Sequence, residues 1–187
     1  MERPAVELLA ELGWRTVNAY DERLGADGTL GRDSRRDVVL GHRLLSALRT
    51  LNPDAPDEAL EEASVAISRD RAATDPTRAN SEVYGLLRDG FLAGWRDEGG
   101  QEQTARITYV DWHDPAQNDL LAANQVWIAG DLYVRRVDLV LFVNGIPLVL
   151  AEFKSANRSV RAAFEDNLRD YRVAVPQLFV PNAFVIL

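Results

Sequence analysis

Glu152-Phe153-Lys154 sets a carboxylate and an ammonium two residues apart on a stretch that reads as a β-strand, so both project from one face. The run Ile146 to Ala151 before them carries no charge, and a carboxylate emerging from such a strand is costly unless it is paired or metal-bound. A same-face ion pair would explain Glu152 and Lys154 by themselves. Asp138 changes the balance: it interrupts Val137-Asp138-Leu139-Val140-Leu141-Phe142-Val143, a second strand-like run otherwise free of charge. Acidic residues are depleted from strands. Two of them on opposite sides of one hairpin make a candidate two-carboxylate site for a hard divalent cation.

Lys154 is singled out by composition as well. Of the 21 basic residues it is the one lysine; every other is arginine. Where the chain needs only surface charge it uses arginine, so a retained lysine points to a need for a compact ammonium with an adjustable pKa. Other chemistries are scarce. There is no cysteine for a disulfide, thiolate site or nucleophile. No Gly-rich phosphate loop ends in Gly-Lys, and no Gly-x-Ser-x-Gly elbow occurs. His42 and His113 are isolated; His113, beside Asp111 and Asp114, reads as a solvated loop residue.

The hairpin between the two acidic strands decides whether they meet. Asn144-Gly145 is the strongest turn signal in the chain. A plain two-residue turn sets Asp138 opposite Ala151, facing away from Glu152. A three-residue loop sets it opposite Leu150, with Glu152 its diagonal neighbour on the same face at roughly 7 Å. The site therefore requires an odd loop or an equivalent bulge.

The elements that must hold this hairpin follow from pattern. Glu2 to Leu12 carries an apolar helical stripe stopped by Gly13; residues 14–37 are polar, contain several glycines and read as loop. Helices are expected from Val38 to Leu51, from a cap at Asp57 to about Ala73, and from a cap at Asn80 to Gly90. Strand patterns then take over at Thr104 to Trp112, Gln125 to Ile128, Tyr133 to Val143 and Ile146 to Phe153. A helix over residues 158–173, with Val160, Phe164, Leu168 and Tyr171 on one face, is closed by Pro176, and Ala183 to Leu187 begins a further strand. The fold class is α/β: a sandwich with a central mixed sheet flanked by helices, residues 1–187 forming one domain with a mostly helical part (1–100) and a catalytic core (101–187).

The formal charge of −8 opposes non-specific nucleic-acid binding. It is unevenly spread: residues 1–100 hold 13 basic and 19 acidic residues, residues 101–187 hold 8 and 10. No signal-peptide pattern or membrane-length apolar run is present, so a cytoplasmic protein without membrane association is expected. The chain stops inside Phe184-Val185-Ile186-Leu187, where a strand should still be in progress, which suggests a piece of a longer protein.

Asp138, thirteen intervening residues with a hairpin, and Glu152-x-Lys154 between helices together resemble the PD-(D/E)xK nucleases, whose fold is restriction-endonuclease-like. More narrowly, Arg136 to Lys154 with its Asn-Gly-Ile-Pro turn is similar to the N-terminal nuclease domain of type I restriction enzyme R (motor) subunits, supported by Asn80 to Gly90, Asp111 to Gln125 and Tyr171 to Asn182. Residues 14–75 add nothing to the resemblance. It implies an Mg²⁺-dependent endonuclease acting on double-stranded DNA. In it Asp138, Glu152 and the Phe153 carbonyl bind the metal, and Lys154 positions or activates the attacking water and stabilises phosphate charge. Glu82 is a further carboxylate candidate, or a solvated helix residue. The family's Gln and Tyr, four residues apart on the next helix, fall here on Asn167 and Tyr171; Asn is one methylene shorter than Gln. The resemblance also implies methyltransferase and specificity subunits as partners, sequence recognition by a separate subunit, and an ATP-driven translocase beyond residue 187. Two other readings stay open: a non-catalytic docking module of the same fold, and a resolvase or repair nuclease of the same superfamily.

Overall fold

A computed structural model gives the structure of residues 2–71, 74–153 and 168–187. Their order is α1 (Glu2–Glu11), β1 (Arg15–Asn18), α2 (Gly41–Leu51), α3 (Asp57–Ser68), α4 (Pro76–Asp89), β2 (Phe91–Arg96), β3 (Glu102–Ile107), β4 (Leu120–Ala129), β5 (Val134–Val143), β6 (Ile146–Ala151), α5 (Arg169–Ala174) and β7 (Phe184–Ile186). β1, β4, β5, β6 and β7 lie side by side in that order as one sheet. β4, β5 and β6 run antiparallel, while β1 joins β4 and β7 joins β6 in parallel. β2 and β3 form a separate antiparallel ribbon. The sheet is mixed and flanked by helices, as the restriction-endonuclease-like sandwich requires.

Three apolar groups hold these layers together. On one face of the main sheet, Val6 and Leu9 of α1 and Trp14 pack on Ala122, Leu139, Leu141 and Ala151. On the other, Tyr171, Ala174, Val175 and Leu178 cover Val126, Val137, Val140 and Leu150. The third group gathers α2, α3 and α4 over the ribbon and the hairpin residues Ile146 and Leu148. The helices bury stripes at helical spacing: Leu44 and Leu48 on α2; Ala59, Ala63 and Ile67 on α3; Ala79, Val83 and Leu87 on α4. Each fully buried leucine contributes about 2 kcal/mol.

Several boundaries differ from the pattern-based expectation. β1 occupies part of the stretch expected to be loop, and β2 pairs with a strand shorter than Thr104 to Trp112. β4 runs from Leu120, longer than Gln125 to Ile128. α3 ends at Ser68 rather than near Ala73, and Asp57 is its first residue, paired with Arg49, instead of its cap. α4 begins four residues before Asn80: Asp75 is the cap, accepting from the N–H groups of Thr77 and Arg78, with Pro76 in the first turn. Asn80 has another task. Its amide donates to the carbonyls of Val180 (2.9 Å) and Asn182 (3.2 Å), tying α4 to the approach to β7. Of the helix expected over 158–173, Arg169–Ala174 is α5; residues 158–167, with Val160 and Phe164, lie outside the described residues.

Candidate active site

The β5–β6 hairpin begins with Val143 opposite Ile146 around a two-residue turn. Asn144 (φ 53°) and Gly145 (φ 79°) both have positive φ, as the mirror-image turn that matches strand twist demands. Asn144 is fully buried; its amide donates to the Tyr109 carbonyl and the Asn118 side chain, while its oxygen accepts from the Asp119 N–H. Gly145 has no room for a side chain, since a Cβ would lie 2.6 Å from the Leu40 carbonyl oxygen and 2.9 Å from the Leu44 nitrogen. The turn is thus clamped between α2 and the loop after β3.

With that tight turn alone, Asp138 and Glu152 would face apart. The register prevents this. Phe142 pairs with Pro147 but Leu141 pairs with Val149, leaving Leu148 unmatched as a bulge. Val140 then faces Leu150 and Leu139 faces Ala151. Continued by one residue, this register sets Asp138 opposite Glu152. The required parity change comes from a bulge beyond a two-residue turn, and Asp138 is opposite Glu152 rather than Leu150.

At this point the backbone ladder gives way to side chains. The Asp138 N–H donates to Glu152 Oε1 (3.3 Å), and the Phe153 N–H donates to Asp138 Oδ2 (2.8 Å). Each carboxylate therefore accepts a backbone N–H from the strand that carries the other. Glu152, only 4% exposed, is anchored from the far side by its own N–H, which donates to Ile186 of β7. Tyr171 on α5 donates its hydroxyl to the Arg136 carbonyl (2.8 Å), two residues before Asp138. Burial, then the charge of Glu152 and its hydrogen bonding, with Asp138 adding to them, push the Tyr171 hydroxyl well above the ordinary phenol value.

The remaining candidates are distributed as follows. Lys154 and Asn167 lie outside the described residues. Phe153 packs against the α1-side core and contributes its N–H to Asp138. Glu82 is elsewhere: its carboxylate meets Arg69 (2.8 Å), Arg78 (3.4 Å) and Arg71 (3.6 Å), which hold it well below the usual carboxylate range. Among the described residues no group of three acidic or imidazole side chains is placed to hold a metal, so Glu82 does not join the pair. His113 sits in a turn whose N–H groups, with that of Asp114, are capped by Asp111.

Sequence reasoning missed one feature of the site. Gln125, at the β4 position opposite Asp138, has φ 57°, and the ladder skips it between Asn124↔Leu139 and Val126↔Val137. Non-glycine residues in that conformation recur where structure is under functional constraint. The Glu2 carboxylate holds it, accepting from both Asn124 (2.7 Å) and Gln125 (2.6 Å). The available signal was the pair of adjacent amides breaking an otherwise apolar strand.

No helix among the described residues is long and apolar enough to cross a membrane. The whole chain, residues 1–187, matches the family model for the type I restriction enzyme R protein N terminus. It is 28% identical to the type I restriction enzyme HindI endonuclease subunit of Haemophilus influenzae, over 100% of this chain and 18% of that protein. It is 30% identical to a putative type I restriction enzyme MjaIXP endonuclease subunit of Methanocaldococcus jannaschii, over 96% of this chain and 17% of that protein. The chain therefore spans less than a fifth of the length of these relatives. With a mixed sheet whose bulged hairpin brings two acidic residues together and a family match running end to end, this chain belongs to the type I restriction enzyme R-protein N-terminal family.

Proposed function

We propose that this chain is the Mg²⁺-dependent endonuclease domain of a type I restriction R subunit, hydrolysing phosphodiester bonds of double-stranded DNA. The observation that carries this is the reciprocal contact between Asp138 and Glu152 at the end of the β5–β6 ladder. Their donor chemistry fits a hard divalent cation: carboxylate oxygens, one of them largely withdrawn from water, and the Phe153 carbonyl next in the chain. A metal bound there would supply Lewis acidity toward a phosphoryl oxygen.

The chain's own residues have separate tasks in this proposal. Asp138 and Glu152 hold the cation, and the Leu148 bulge keeps them on facing positions. Tyr171 fixes the backbone just before Asp138. Lys154 is assigned to position the attacking water and to stabilise charge developing on the phosphate. Asn167, in place of the family's Gln, is assigned a supporting contact. ATP-driven translocation is assigned to another part of the enzyme, because this chain has no phosphate-binding loop, and recognition of sequence and methylation are assigned to partner subunits on the family resemblance alone.

Metal binding tests the proposal without requiring turnover. At a hundredfold excess over Kd, Mg²⁺ should stabilise the fold by about 2.7 kcal/mol. For a domain of this size that is roughly 5–10 °C in Tm. Asp138→Asn and Glu152→Gln should lose the shift. An equal Mg²⁺ shift in both variants, or none in the wild type, would remove the proposed metal site.

A further inference from the structure

β5 enters the candidate site through Arg135 and Arg136, and these two neighbours are used differently. Arg135 forms an ion pair with Asp170 on α5. Arg136 is exposed and makes no ion pair among the described residues. Its guanidinium instead lies 5.5 Å from the centre of the Trp127 ring and 5.4 Å from that of Tyr20. Trp127 is its cross-strand partner on β4. A second guanidinium, that of Arg35, lies over the same indole at 5.6 Å.

The surroundings hold the ring and the Arg35 segment in place and leave Arg136 exposed. Arg32 and Glu22 form a buried pair beneath it, and Arg32 also donates to the carbonyls of Asp37 and Trp127. The Arg35 carbonyl accepts from the Ala129 N–H, laying residues 34–37 along the end of β4. Trp127 Nε1–H donates to the Tyr20 carbonyl. The nearby acids are already engaged: both Glu22 oxygens accept from Arg32, with Arg35 at a looser 3.8 Å, and Asp131 pairs with Arg36. In a chain of net charge −8, one indole carrying two guanidiniums stands out, Arg136 without an ion pair among the described residues and Arg35 with only the 3.8 Å contact to Glu22.

We infer that Arg35 and Arg136, ordered on Trp127, form a rail for the DNA phosphate backbone beside the proposed metal site. Stacking on an aromatic ring restrains a guanidinium and leaves its N–H edge free for phosphate oxygens. Arg136 is two residues from Asp138, about 7 Å along a strand. That equals about two 3.4 Å nucleotide steps of a duplex. The rail would therefore hold a phosphate about two nucleotide steps from the one undergoing hydrolysis. This inference rests on the nuclease proposal for its choice of DNA, but the contact itself does not depend on metal or on turnover.

The test is anisotropy of a labelled duplex titrated with the 187-residue chain in EDTA across a salt series, where no metal-dependent cleavage occurs. Arg136→Ala should weaken binding about tenfold and reduce the slope of log K against log salt by about one. Arg35→Ala should act similarly, and Arg136→Lys should recover only part of the loss. Arg96→Ala, on the remote β2–β3 ribbon, is the control, and melting curves check folding of every variant. Unchanged affinity and slope in folded Arg136→Ala and Arg35→Ala, or no measurable binding by the wild type at low salt, would overturn the rail. Loss of Mg²⁺ stabilisation in Asp138→Asn with unchanged DNA binding in Arg136→Ala would sink this inference and leave the nuclease proposal standing. A rail effect without any Mg²⁺ effect would do the reverse.

Discussion

Replacing Arg32 by methionine isolates the largest single electrostatic commitment in the described structure. The Arg32 and Glu22 side chains are 1% and 0% exposed and meet through two contacts of 2.7 and 2.8 Å. Arg32 also satisfies the carbonyls of Asp37 (3.0 Å) and Trp127 (2.6 Å). Removing it leaves a buried carboxylate facing Arg35 alone at 3.8 Å. Breaking such a pair from one side costs about 3–5 kcal/mol, against a total stability of about 5–15 kcal/mol for a typical domain. For a domain of this size the Tm should fall by roughly 6–20 °C. The double variant Arg32→Met/Glu22→Leu should recover most of that loss, because no charge is then buried unpaired. Urea and thermal denaturation of wild type, both singles and the double complete the cycle. A loss below about 1 kcal/mol in Arg32→Met, or a double variant as unstable as the single, would refute the reasoning.

Gly145→Ala should destabilise the chain by about 2 kcal/mol or more, from strain at positive φ and from the clash with the Leu40 carbonyl; a melting temperature within 1 °C of wild type would mean the hairpin shifts freely. Alkali should also destabilise it. Burial raises the hydroxyls of Tyr109 and Tyr171 above the ordinary value, so the unfolded chain releases these protons first. Their contribution is complete below the unfolded value of about 10 and is lost as pH rises from there toward the folded values. Urea midpoints measured from pH 8 to 11 should fall above pH 10, less steeply for Tyr171→Phe; an identical slope would remove Tyr171 from this account. Asn80→Ala should cost about 1–2 kcal/mol by freeing the carbonyls of Val180 and Asn182, read as a lower urea midpoint.

The central hairpin was legible because its signals are local. An apolar run, Asn-Gly, and a second apolar run fix two antiparallel strands, and a charge inside each marks the site. The bulge that makes the charges meet was legible only as a requirement. Pro147 beside Leu148 favours a bulge, since proline inside a sheet is confined to edges and bulges, but it does not fix which residue is left unmatched; packing of Leu148 against the helical layer does. β1 escaped because its four residues pair in parallel with β4, more than 100 positions away. Asp75-Pro76 is a helix-start signal as good as Asn80, and what separates the two is tertiary: the Asn80 amide serves a segment 100 residues on. Glu2, Gln125, Arg35 and Trp127 come from distant segments, so their association with the site exists only in the fold.

Asp138, Glu152 and Lys154 are proposed to act as one catalytic unit, and substitution of Lys154 tests this most directly. In the assembled restriction enzyme, Lys154→Ala should abolish plasmid nicking and linearisation in Mg²⁺ while leaving ATP hydrolysis near the wild-type rate. Loss of one such electrostatic contact is worth about 3–4 kcal/mol of barrier, or a factor of 10²–10³. Lys154→Arg should be nearly as inactive, since a guanidinium is larger and does not give up its proton. Asp138→Asn and Glu152→Gln should match it. Near-normal cleavage by Lys154→Ala, with ATP hydrolysis intact, would contradict the account.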